Sequence, residues 1–121
     1  MHRLDLSPKL TTEFKSILRS YHCPDFVLGT AFYFYEHFDD QFDSFNSYTD
    51  YELLLGCLLL AMKTTYDDAI SNKTFCRVVH QPLQTIGLLE RYLLNRLRYR
   101  LLPQKECVLD CTSRILTSLY Q

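Results

Sequence analysis

Asp39-Asp40-Gln41-Phe42-Asp43 sets three carboxylates within one short stretch. Carboxylates one helical turn apart can bridge hard cations such as magnesium and, through them, hold a diphosphate. That chemistry also needs a deep apolar cavity and a second set of acidic ligands, which a 121-residue chain has no room to enclose. The stretch therefore reads as a solvated acidic loop. Cys107 and Cys111 share a helix face and could join His22 or His80 at a metal, yet none of the cysteines forms the Cys-x-x-Cys pair of a closed zinc site. No nucleophile, base and orienting partner are suggested by spacing, and three glycines make no phosphate loop. The chain is not read as an enzyme, and no catalytic residue, metal or cofactor is expected.

Two other charged residues are better placed for recognition. Lys63 ends the stretch Tyr51 to Lys63, YELLLGCLLLAMK, whose residues from Leu53 to Met62 carry no charge. Glu90 lies four residues after Ile86 and four before Leu94, at the edge of an apolar stripe. Either pair member could be a surface residue, or the two could simply pair with each other. Arg91, Arg96, Arg98 and Arg100 follow Glu90. They could bind phosphate, but cations at a helix C-terminus also complement its dipole, and that reading is preferred.

The elements that must position these groups are all helical. Thr49 with Glu52 forms a capping box and starts the central helix near Asp50. Its leucines point all round, so other helices should bury it on every side. The run is too short for a hydrocarbon core, which takes about twenty apolar residues. Before it, Ser7-Pro8 opens a helix through Leu10, Phe14, Ile17, Leu18 and Tyr21, ending near His22. Pro24 opens a second through Phe26, Val27, Ala31, Phe34, Tyr35 and Phe38, whose aromatics read as core because no basic residue is interleaved with them. After it, Ser71-Asn72 caps a short helix through Phe75 and Val79. Pro82 starts a fifth helix, with a stripe of Ile86, Leu89, Leu93, Leu94 and Leu97, that Pro103 ends. Val108, Ile115, Leu116 and Leu119 form the last.

The totals set limits on function. At 121 residues the chain holds one domain, and a net charge of −1 argues against an electrostatic grip on nucleic acid. The average hides a division: no Lys or Arg lies between Ser20 and Met62, whereas Lys73 to Lys105 carries its cations against Glu90 alone. The five cysteines are odd in number, and no basic-then-apolar leader follows Met1. Reduced, buried thiols in an intracellular protein, nuclear or cytoplasmic, are expected.

Leu58-Leu59-Leu60-Ala61-Met62-Lys63, Asp67-Asp68, Ser71-Asn72-Lys73-Thr74-Phe75 and Leu88-Leu89-Glu90-Arg91-Tyr92-Leu93-Leu94 together resemble a cyclin box. The likeness runs from about Leu10 to Leu102, and in detail it is most similar to the fungal phosphate-starvation cyclins and cyclin Y. The resemblance implies an all-α fold: a five-helix box around a buried central helix, over residues 10–102. Residues 1–9 precede it and one C-terminal helix over residues 103–121 follows. It also implies a heterodimer in which the chain binds and activates a cyclin-dependent protein kinase, without membrane or nucleic acid. The family's kinase-gripping Lys and Glu fall on Lys63 and Glu90. Ala61 and Thr64, then Leu94, Tyr99 and Leu101, take the neighbouring kinase-facing positions. Ala31 and Phe38 match the second-helix pattern, and Glu36 stands where the family has Asp. The Arg that would pair with it from the first helix has no counterpart, the aligned position falling near Ser7. A helical scaffold or transcription-factor-like adaptor with no kinase partner is the alternative, and it would call for a broad basic face instead.

Overall fold

The computed structural model describes residues 8–20, 23–38, 48–65 and 71–120, the side chains at 19 and 20 excepted, and it contains no strand among the described residues. Six helices follow one another: α1 (Pro8–Ser20), α2 (Asp25–His37), α3 (Asp50–Thr65), α4 (Asn72–Val79), α5 (Leu83–Arg96) and α6 (Lys105–Tyr120). The acidic stretch 39–43, Asp67-Asp68 and His22 lie outside the described residues.

Local chemistry sets the helix starts. Thr49 Oγ1 accepts the Glu52 N–H at 3.1 Å, while Glu52 Oε1 accepts the Thr49 N–H at 3.0 Å, a complete capping box at the head of α3. Ser71 does the same for α4, its Oγ accepting the Thr74 N–H at 3.1 Å. Pro24 and Pro82 sit extended just ahead of α2 and α5, where the missing N–H is not needed.

Every residue from Leu53 to Met62 is buried, so α3 is the apolar axis its sequence describes. A second helix is nearly as deep. In α2 the run Val27 to Phe32, then Phe34 to Glu36, is buried because α2 lies between α3 on one side and α6 on the other. Phe14 of α1 meets Phe32 edge-on, with centroids 5.6 Å apart. Phe26, expected in the apolar run, stays exposed at the start of α2. Ile115 and Leu119 of α6 belong to the same core as α3, so packing does not divide at Pro103.

Two close approaches fix the spacing of these layers. A Cβ on Gly29 would overlap the Thr112 side chain and stand 2.8 Å from the Val108 carbonyl oxygen, so α6 lies directly on the α2 backbone. A Cβ on Gly56 would run into Leu93 and come within 2.8 Å of Leu89 Cγ, which seats α5 against α3.

Helix α5 ends earlier than Pro103 suggests, at Arg96. Tyr99 N–H reaches the Leu94 carbonyl and Arg98 N–H the Asn95 carbonyl, both at 3.0 Å, the crossed pair of bonds of a Schellman ending. Arg98 and Tyr99 take φ of 54° and 58° there, a left-handed conformation that glycine usually supplies. For side-chain-bearing residues that conformation costs about 1–2 kcal/mol each. With no glycine at the turn, nothing in the sequence pattern marked it.

Candidate functional site

Lys63, in the last turn of α3, and Glu90, midway along α5, meet at 2.6 Å from Nζ to Oε2. Gly56 of α3 packs directly on Leu89 and Leu93, so α3 lies against the stretch of α5 that carries Glu90. Glu90 is the more enclosed partner, its side chain 16% exposed against 30% for Lys63. Asn72, the first residue of α4, donates from Nδ2 to the other carboxylate oxygen, Oε1, at 3.1 Å. The carboxylate is thus held from two sides by two other helices. Asn72 Oδ1 is buried and finds no hydrogen-bond partner among the described residues. Such an orphaned acceptor costs about 1–3 kcal/mol. The sequence pattern gave Asn72 only a share in a cap; Ser71 caps alone, which leaves the amide for Glu90.

The remaining residues assigned by resemblance separate into three kinds. Thr64 is half-buried, its Oγ1 donating back to the Leu60 carbonyl at 2.9 Å, so its methyl rather than its hydroxyl is left for a neighbour. Leu94 lies one turn beyond Glu90 on the same face of α5, and Leu101 follows the left-handed turn; both are half-buried against the core. Tyr99, at the turn itself, is 66% exposed. Ala61, placed beside them by the resemblance, has no exposed surface, because α3 is enclosed at that point.

A second ion pair was only half visible. Glu36 is buried on α2 with its side chain 3% exposed. A cation reaches it from the last helix: Arg114 NH1 donates to Oε2 at 2.9 Å and NH2 to Oε1 at 2.8 Å. The fork geometry makes this a strong, charge-assisted pair, and the hydrogen bond to Glu36 is the main reason the Arg114 guanidinium is held protonated even more firmly than usual. Asp110 accepts from Arg114 Nε at 2.9 Å, and the Cys111 thiol donates to Glu36 Oε1 at 3.4 Å. Burial, reinforced by that bond to Glu36, pushes the Cys111 thiol up to about 12. A buried Glu demands a cation, and Arg114, four residues after Asp110 and three after Cys111, was the available signal.

Among the described residues no three His, Cys, Asp or Glu side chains gather as ligands. Cys107 and Cys111 face Tyr33, Glu36 and Arg114, whereas His80 lines a different cavity with Thr12 and Ile17. Among the described residues no helix is long and apolar enough to cross a membrane. No protein-family model, no curated protein and no solved structure matches the chain.

Proposed function

We propose that this chain is a cyclin-like regulatory subunit that binds and activates a cyclin-dependent protein kinase, with the helices α1 to α5 as its box. The observation that carries the reading is the meeting of Lys63 and Glu90 across two helices, at the edge of a core that is otherwise apolar. An ammonium can donate to carbonyls and a carboxylate can accept amides, so the two can pin a segment of partner backbone between them. Both are partly exposed and partly desolvated already, which lowers the further desolvation needed on binding. The band continues along α5 through Leu94 to Tyr99 and Leu101, with Thr64 beside it. Catalysis belongs to the kinase: the subunit presses on its regulatory helix and so completes the kinase's internal Lys–Glu pair.

A second reading is favoured by the same pair seen from inside. Because Lys63 and Glu90 already satisfy each other, and Asn72 supports the carboxylate, they can be an internal clasp in a helical scaffold with no kinase partner.

The experiment separates the two. Lys63→Ala and Glu90→Ala are assayed for binding to a panel of cyclin-dependent kinases, for the activity of the kinase bound, and for thermal stability, with exposed Glu106→Ala as control. Removing one member of a charged pair buried at an interface costs about 2–5 kcal/mol, so binding should weaken at least about tenfold while the melt stays near that of the parent. Variants that melt normally and still bind and activate like the parent would refute the kinase surface. Variants that lose the fold would favour the clasp.

A further inference from the structure

Asn72 is tied to the Lys63–Glu90 pair in a way that neither the capping of α4 nor its stability explains. Ser71 caps that helix alone, its Oγ accepting the Thr74 N–H at 3.1 Å. Asn72, the first helical residue, instead sends Nδ2 to Glu90 Oε1 at 3.1 Å, on another helix and 18 residues along the chain. For stability the arrangement is poor. Oδ1 of the same amide is buried with no hydrogen-bond partner among the described residues. Asparagine is also a weak helix former, and the first turn of α4 has no acidic residue, where a carboxylate would complement the helix dipole.

The two groups that hold Glu90 differ in stiffness. Lys63 reaches Oε2 at 2.6 Å on a flexible four-carbon stem. A carboxylate held through one oxygen by such an arm still turns about its last torsion, whose wells are broad. Asn72 has a short side chain on a fixed base. Phe75, one turn on, is buried in the core at 1% exposure, and its N–H donates to the Ser71 carbonyl at 3.0 Å. A second bond from that base to Oε1 fixes the carboxylate plane. An ionised carboxylate has about four lone-pair sites, and Lys63 and Asn72 each engage a different oxygen. The other acceptor directions are therefore aimed before any partner arrives, which lowers the ordering cost of binding.

We infer that Asn72 is a positioning residue of the partner grip: it orients the Glu90 carboxylate toward amide donors of the bound protein, and it lowers the stability of the free chain in doing so. The inference rests on the reading of Lys63 and Glu90 as a kinase-binding pair. It extends that reading to a third helix, because α4 then contributes to binding through Glu90. A group that is buried half-satisfied, and that holds a functional side chain in one pose, is how a site trades stability for a preset geometry.

The test uses the full chain and the kinase that the parent selects from the panel, with affinity read by titration and stability by thermal melt. Asn72→Ala removes the hydrogen bond and the orphaned acceptor together. It should weaken kinase binding about tenfold, one hydrogen bond's worth, while the melt stays at or above that of the parent. Asn72→Asp keeps the shape and the acceptor but sets a second carboxylate against Glu90, so it should bind more weakly than Asn72→Ala. A double variant separates positioning from support. Because Asn72 acts through Glu90, Asn72→Ala should add nothing to the loss in Glu90→Ala, and the double variant should bind the kinase as Glu90→Ala does. If Asn72→Ala binds like the parent while Lys63→Ala binds weakly, this inference is overturned and the kinase reading stands. A melt that falls in Asn72→Ala, Asn72→Asp binding like the parent, or a double variant weaker than Glu90→Ala would overturn it equally. If no kinase binds the parent, both readings fall together.

Discussion

Glu36 is the residue on which the charge balance of the interior depends. Removing one partner from a buried ion pair strands the other, and that typically costs about 3–5 kcal/mol. Arg114→Met should therefore destabilise the fold by about 3 kcal/mol, the low end, since the Arg114 side chain is 36% exposed. Adding Glu36→Leu to that variant should restore most of the loss, because no charge is then left unpaired; denaturant unfolding of the single and double variants measures both. The thiols give a pH test. Burial pushes Cys23 and Cys111 up to about 12 from 9.0, aided by the charge of Asp25 for the first and by the bond to Glu36 for the second. The folded chain keeps these protons after the unfolded chain has released them. The stability they contribute is thus full below pH 9.0 and is lost as pH rises toward about 12. Thermal melts should fall through that window for the parent and fall less for Cys23→Ala/Cys111→Ala, and a parent melt that stays flat would contradict the assignment.

At the scale of the helices, contact geometry decides the sign of glycine substitutions. Replacing a helical glycine by alanine stabilises by about 0.5–1 kcal/mol where there is room. Gly87 has nothing within 4 Å of a new Cβ, so Gly87→Ala should raise the melt. At Gly29 the obstacle includes the Val108 carbonyl, which cannot yield without moving α6. Overpacking of that kind costs about 1–3 kcal/mol, so Gly29→Ala should lower the melt despite its better helix propensity. The starts of these helices could be read from Thr49, Ser71, Pro24 and Pro82, because caps and prolines act on their own neighbours. The close of α5 could not, since its turn is made by Arg98 and Tyr99 against their local preference. Site legibility divides along the same line. Lys63 and Glu90 stood out as charges against apolar runs, whereas the roles of Asn72 and Arg114 depend on which helices meet. The burial of Ala61 depends on the same thing.

For the whole molecule, α6 covers the outer face of α2, its contacts with α2 being as extensive as those of α3. Deleting residues 103–121 should uncover Gly29 and take from Glu36 the Arg114 guanidinium that holds both its oxygens. The shortened chain is expected to lose its cooperative thermal transition, as read by circular dichroism, and a sharp melt close to that of the parent would show that α1 to α5 stand alone. The long reach of the Glu36–Arg114 clasp, 78 residues along the chain, also bears on how the protein is made. Synthesis runs from the N-terminus, so α2 leaves the ribosome well before the helix that neutralises it. Until Arg114 emerges, the nascent chain holds its aromatic α2 and the leucines of α3 without their final cover. The stretch that carries Arg114 is then the one that closes the fold, and a ribosome stalled just short of it would hold a polypeptide still open to chaperones.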